Sequence, residues 1–493
     1  MRKLSRRQLL RAIGGMTVGA ASLSILSACG GAPAAAPTSA PAAPTTAPAA
    51  AAPTEAPAAA APTEAPAPTA APAQSAKAYE VQYMYYSSEL TDDHLKLFNQ
   101  KYAPLKATRI EFDYNKLDAM FAAKTPPDGF RTYAPALPGY KARGLILDLT
   151  SRFETSKSIN VNDLWEANDY YCFPKDSVIP AHGAPRYGIV KDFAPDNTLW
   201  CWKAAFDDAG IKLWDYNAPP SYKEYLEAGK KLTKTEGDRT VRFGINPADY
   251  WVDRLVMSAL AEIDKSLYSD DFTKTLLKQD KDVTDVWKWW YDVAFSGGMP
   301  TAVNPLPGGD QSAAYLQGTL ANWQTGYWFT AQQQYTHKPD QDIDTNSYFI
   351  GAPYFFDASK RVSPTVTACG GVITTGSKDP DATWKFYEFF FGEEPAVERA
   401  KNGWGVPAFK SWFDRLPHNT PFTQRSFTTL QNEMKIMRTL HFNPYIGENT
   451  IPSLWAPIIE KALRNKTPVD DVIDEVTKAI NDQIQTAKDA MGL

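Results

Sequence analysis

A chain of 493 residues with 51 Lys and Arg against 56 Asp and Glu, net charge −5, lacks the one-signed surface that nucleic acid or an anionic membrane face requires of a partner. Its four cysteines show no Cys-x-x-Cys spacing, which excludes a disulfide scaffold and a zinc ribbon.

The first element is a leader. Ser5-Arg6-Arg7-Gln8-Leu9-Leu10-Arg11 gives a basic n-region and Ile13 to Leu26 an apolar run too short to span a bilayer. Leu26-Ser27-Ala28-Cys29 resembles a lipobox, and the paired arginines resemble a twin-arginine export signal, with Sec export the alternative route. Residues 1–28 are expected to be a signal peptide, with Cys29 acylated to become the membrane-anchored mature N-terminus. Residues 29–76 follow as an Ala/Pro/Thr-rich linker in which Pro-Thr-Glu-Ala-Pro occurs twice. Such a segment cannot build a core and is read as a semi-rigid spacer.

From Lys77 onward the pattern is that of a folded chain. Glu80 to Tyr86 alternates and reads as a strand, Leu90 to Tyr102 as a helix ended by Pro104, and Thr108 to Phe112 as a second strand. Asn115 to Lys124 is the next amphipathic helix, stopped by Pro126-Pro127-Asp128-Gly129, and Leu145 to Leu149 follows a second Pro-containing turn. Elements alternating at this spacing predict an α/β domain around a largely parallel sheet.

Pro127-Asp128, Leu145 to Leu149, Arg186 to Asp192, Thr198 to Lys203, Phe206 to Gly210 and Ser221 to Glu224 form a series of local patterns that continues with Tyr315 to Leu320, Thr325 to Trp328, Cys369 to Ile373 and Gly403 to Pro407. Their order resembles that of the family 1 extracellular solute-binding proteins of ABC importers, the group that includes maltose-binding protein. Trp202, Val190 and Thr383 depart from the family's usual residues. The resemblance implies a two-lobe periplasmic-binding-protein type II fold with discontinuous lobes joined by crossover hinge strands. Lobe one is expected at 77–192 plus 353–400 and lobe two at 193–352 plus 401–493, with crossings near Gly188 to Asn197 and Ile350 to Tyr354.

The resemblance also implies an extracytoplasmic, monomeric receptor that takes a solute between the lobes and delivers it to permease transmembrane subunits, with no cofactor. A sugar needs flat apolar faces beside planar polar groups, and 14 Trp and 24 Tyr supply the faces. Trp287, Trp289, Trp290 and Trp384 sit in helical runs and are read as core. Aromatics in turns are the better ligand candidates: Trp251, Trp328 and Trp404, then Tyr85 and Tyr133 with Ser87 after the first strand and the Pro127-Asp128 turn. Asp128 and Asp249 are the carboxylates placed beside such turns, ahead of Asp192, Asn197 and Arg438, and Gly370 and Gly371 would let backbone approach the sugar. The absence of an Arg or Gly nest in the sequence argues against an anion.

Other functions are less well served by these residues. A glycoside hydrolase needs two carboxylates at a defined separation, and no distinctive pair stands out. Phe295-Ser296-Gly297-Gly298 lacks the leading glycine of a nucleophile elbow, and the five histidines are scattered. A receptor for a peptide or polyamine is the remaining alternative. Asp270-Asp271 and Asp280-Lys281-Asp282 read as solvated acidic turns rather than a metal site, and a Cys172 to Cys201 bridge is left open.

Overall fold

Glu80–Tyr85 (β1) pairs in parallel with Lys106–Glu111 (β2) on one side and Gly129–Tyr133 (β3) on the other. The computed structural model that gives this pairing describes residues 77–491 apart from 248–251, 297, 366–367, 441 and 447–449. The leader, Cys29 and the linker lie outside the described residues, as do Asp249 and Trp251.

The further strands are Gly188–Phe193 (β4), Leu199–Trp202 (β5), Lys234–Glu236 (β6), Arg239–Arg242 (β7), Asn246–Pro247 (β8), Asn322–Gln324 (β9), Ser347–Ile350 (β10), Ser363–Thr365 (β11), Cys369–Ile373 (β12), Val406–Pro407 (β13) and Met437–Thr439 (β14). The first sheet runs β13-β4-β12-β3-β1-β2. Four of its strands are parallel, and β12 and β13 run against them. The second sheet runs β10-β5-β9-β8 and centres on β5.

One buried cluster runs through both sheets, and a second, rich in aromatics, covers part of the first sheet. Helix Pro380–Gly392 begins at Asp379, whose carboxylate accepts from the Ala382 amide at 3.0 Å, with Pro380 in the first turn where no amide donor is needed. Its Phe386 and Phe390 rings lie 5.3 and 5.0 Å from Tyr83 and Tyr85 respectively. Helix Tyr222–Leu232 starts from a reciprocal cap in which Ser221 Oγ accepts from the Glu224 amide and Glu224 Oε2 from the Ser221 amide. In the second lobe Trp200 packs among Phe329, Phe349 and Phe422. Trp287 and Trp290 are fully buried in helix Lys281–Phe295, with Trp287 against Trp455. Each such ring contributes on the order of 2–3 kcal/mol by leaving water. Cys172, Cys201 and Cys369 are buried free thiols, so Cys172 and Cys201 are not bridged.

The chain leaves the first sheet after Phe193 and enters the second at Leu199, and the return passes from β11 to β12. The first crossover touches β11, the strand that precedes the return, with the Asp196 amide donating to the Pro364 carbonyl at 2.9 Å. Two expected boundaries move. Residues 353–365 stay with the second lobe, because the Phe355, Phe356 and Asp357 amides all donate to the Glu262 carboxylate and β11 pairs with β14. Residues 401–415 stay with the first lobe, because β13 pairs with β4 and the Ser411 amide donates to Asp163. Leu145 to Leu149 makes only a single bridge, Ile146 to Thr374, instead of a full strand. No helix among the described residues is long and apolar enough to cross a membrane.

Candidate functional site

The carboxyl ends of β3 and β4, at Tyr133 and Phe193, open onto a cavity of about 570 Å³ that faces β9 of the second sheet. This is where open α/β sheets receive ligands, beyond strand carboxyl ends. The first lobe supplies Glu89, Arg131, Tyr133, Lys191, Asp192, Arg399 and Trp404; the second supplies Arg254, Trp323, Gln324, Thr325 and Trp328; Asp196 and Asn197 come from the crossover.

Two aromatic walls result. Trp323 and Trp328 meet edge to face, 5.9 Å apart with planes at 89°, on the second-lobe side. Opposite them, Tyr133 lies under the Arg131 guanidinium, 4.2 Å from ring centre to guanidinium carbon, and accepts a hydrogen bond from Arg131 Nη2 at 2.8 Å. The corner is a right-angled apolar surface, a shape that can hold the C–H face of a pyranose while planar amides meet its hydroxyls.

The floor is a network of buried charges. Glu89 accepts from Arg131 Nε at 2.9 Å and meets Lys191 Nζ at 2.9 Å, and Lys191 also meets Asp192 at 2.9 Å. Burial opposes ionisation of Glu89, yet Lys191 and Arg131 outweigh it and hold the carboxyl down at about 2. For Asp192 burial wins over Lys191 and pushes its carboxyl up. Gln324 Nε2 is fixed by the Asn197 carbonyl and the Tyr222 hydroxyl. At the rim His94 Nε2 sits 3.2 Å from Glu398.

Of the residues singled out from sequence, Tyr133, Trp328 and Trp404, with the lower-ranked Asp192 and Asn197, are brought together on this cavity, whereas Arg438 pairs with Asp264. Ser87 is not among the lining residues, though its neighbour Ser88 is; the Ser87 amide donates to Glu111. Tyr85, Asp128, Gly370 and Gly371 lie elsewhere, each for a geometric reason. Side chains alternate along β1, so Tyr85 turns into the lobe core with Tyr83 and donates its hydroxyl to the Gly370 carbonyl at 3.3 Å. Asp128 stands at the amino end of β3, away from the ligand-binding end, where it accepts from the Tyr79 and Ser377 hydroxyls and the Gln82 amide. Gly370 and Gly371 are close-packing positions: a Cβ on Gly370 would lie 2.0 Å from the Ile189 carbonyl, and one on Gly371 2.5 Å from the Phe391 ring.

Arg131, Lys191, Arg399 and Trp323 escaped the sequence reading. Only Lys191, inside the Arg186 to Asp192 segment, stood in a motif at all. Asp271 and Asp280, in the acidic turns, are occupied by turn and cap hydrogen bonds.

No protein-family model and no curated protein matches the sequence. Solved structures do match. An ABC substrate-binding protein from Listeria monocytogenes in complex with cycloalternan is 20% identical, over 84% of this chain and 99% of that one, at a TM-score of 0.66. The sugar-binding protein MalE from Xanthomonas citri is 14% identical, over 83% and 98%, at 0.63. An ABC transporter solute-binding protein from Thermotoga lettingae, bound with α-D-tagatose, is 18% identical, over 82% and 99%, at 0.62. At these identities the likeness establishes the fold: this chain is a two-lobe α/β protein of the periplasmic-binding-protein type II class.

Proposed function

We propose that this chain is the extracytoplasmic receptor of an ABC importer. Anchored through lipidated Cys29 and acting as a monomer, it binds an oligosaccharide between its lobes and delivers it to the permease transmembrane subunits. The observation that carries this reading is the cavity itself, with Trp323 and Trp328 from one lobe facing Tyr133 and Trp404 from the other. A ligand that touches both walls binds the closed arrangement better than the open one and shifts the population toward it. Two similar structures were determined with cycloalternan and tagatose bound, which favours a sugar as the class of solute. Of the carboxylates on the cavity, Glu89 and Asp192 both meet Lys191 and Glu398 meets His94.

The test is thermal unfolding of the purified full chain against mono- and oligosaccharides, amino acids, peptides and polyamines, with chromatography of each sugar after incubation. A ligand that binds the folded state raises the melting temperature by mass action. A shift with a sugar that is recovered intact is the expected result. Sugar cleavage, or a shift confined to peptides or polyamines, overturns the proposal.

A further inference from the structure

The cations on the cavity floor are not all matched. Lys191 and Arg131 share Glu89, and Lys191 also meets Asp192. Arg399, on helix Glu394–Asn402, has no such partner. Its Nη2 donates to the Phe390 carbonyl at 2.7 Å and its guanidinium lies 4.4 Å over the Phe390 ring, while Nε and Nη1 are buried without a hydrogen-bond partner. Among the described residues no carboxylate lies within ion-pair distance of it, and the Glu89 and Asp192 charges reach it only from further off. Arg131, 4% exposed, likewise has a buried Nη1 with no partner.

A buried guanidinium with idle donors is costly unless something completes it. Both arginines line the cavity, although their idle nitrogens are closed off from solvent, so a ligand can complete them where the side chains turn toward it. A neutral sugar hydroxyl would satisfy a donor and leave the charge unmatched. A carboxylate satisfies both, because its two oxygens fit the paired donors of an arginine. Sequence alone hides this anion site, since Arg131 comes from β3, Lys191 from β4 and Arg399 from a helix more than two hundred residues further on.

We propose that the saccharide taken up by this cleft is acidic, bearing a carboxylate of the uronic-acid kind that pairs with Arg399 beside Arg131. The inference rests on the receptor reading above. The sugar ring lies in the Trp323–Trp328 corner and its carboxylate points to the first-lobe floor.

The experiment is titration calorimetry of the full chain with glucuronate, galacturonate, mannuronate and guluronate oligomers, with the methyl ester of each, and with the matching neutral oligosaccharides. One acidic oligomer is expected to bind at least about tenfold tighter than its own ester, and to weaken as salt is raised. Arg399→Gln should erase the difference between acid and ester, and Arg399→Lys should restore part of it. The ester comparison needs no variant, so it stands even where Arg399→Gln fails to fold. An ester that binds as tightly as its acid, or binding confined to neutral sugars, overturns this inference and leaves the receptor reading standing. Binding of no saccharide at all overturns both.

Discussion

Trp404 and Tyr335 stack face to face, ring centres 6.0 Å apart and planes within 8°, although one belongs to the first lobe and the other to helix Phe329–Thr336 of the second. Trp404 also lines the cavity, so the pair joins the lobes beside it. Both rings remain solvent-accessible, Trp404 by 39% and Tyr335 by 62%, and neither serves a lobe core. On the receptor reading proposed above, their contact is expected to stabilise lobe closure more than folding.

Removing either ring should loosen closure. Tyr335→Ala is expected to weaken ligand binding about 3- to 10-fold, the worth of an aromatic pair, with little change in the melting temperature of the free protein. Trp404→Ala should cost more, because that ring also faces the ligand. Double-mutant titrations decide the point: losses that simply add would mean the stack does not couple the lobes.

Trp323 and Trp328 are expected to be the main apolar anchors. Replacing either by Ala should weaken sugar binding by about 2 kcal/mol or more, roughly 30-fold, as removal of a central aromatic does. Calorimetric titration of the variants measures it. Binding unchanged in both would move the ligand out of this corner.

What the sequence made legible is the order of elements and those site aromatics whose position follows from a turn at a strand end. Tyr133 closes β3, Trp328 precedes a helix after Gly326, and Trp404 stands between two glycines; all three reach the cavity. Tyr85 failed the same reasoning because strand parity, not proximity to the strand end, decides which way a side chain turns, and its neighbour Tyr86 is the one that lies under Arg131. Asp128 sits in a conspicuous turn, but at the amino end of its strand, where a carboxylate ties β1 to β3. The charged floor was illegible for another reason. Arg131, Lys191 and Arg399 come together only through sheet pairing and helix docking between distant segments, and single arginines inside a strand or helix carry no local signal.

The reassignment of Tyr85 and Gly370 to the core is open to direct test. Tyr85→Phe should leave ligand affinity unchanged and lower stability by about 1 kcal/mol, the net worth of one hydrogen bond. Gly370→Ala should destabilise by several times that, on the order of 3 kcal/mol or more, because its Cβ would overlap the Ile189 carbonyl and the Tyr171 hydroxyl, and buried overpacking has no easy relief. Denaturant unfolding measures both. A Tyr85→Phe variant of normal stability that no longer binds sugar would return Tyr85 to the site.

Asp253, in the first turn of helix Val252–Ala261, is 4% exposed and its Oδ1 has no hydrogen-bond partner. Burial pushes its carboxyl up to about 6, against an opposing pull from Arg254. The sign follows from the direction of the shift. As pH falls from neutral, the folded state takes up this proton before the unfolded state does, so the buried charge opposes folding in full above about pH 7, and that penalty is relieved as pH falls through about 6 and is gone below about pH 4. Asp253→Asn removes the buried charge. It should stabilise the protein by about 2–3 kcal/mol at pH 7.5, and the gain should shrink to nothing by about pH 4, where the carboxyl is protonated in both states. Melting temperatures of the two proteins across that range provide the measurement. An Asn variant less stable than the parent at pH 7.5 would show that the ionised Asp253 carboxylate supports the fold.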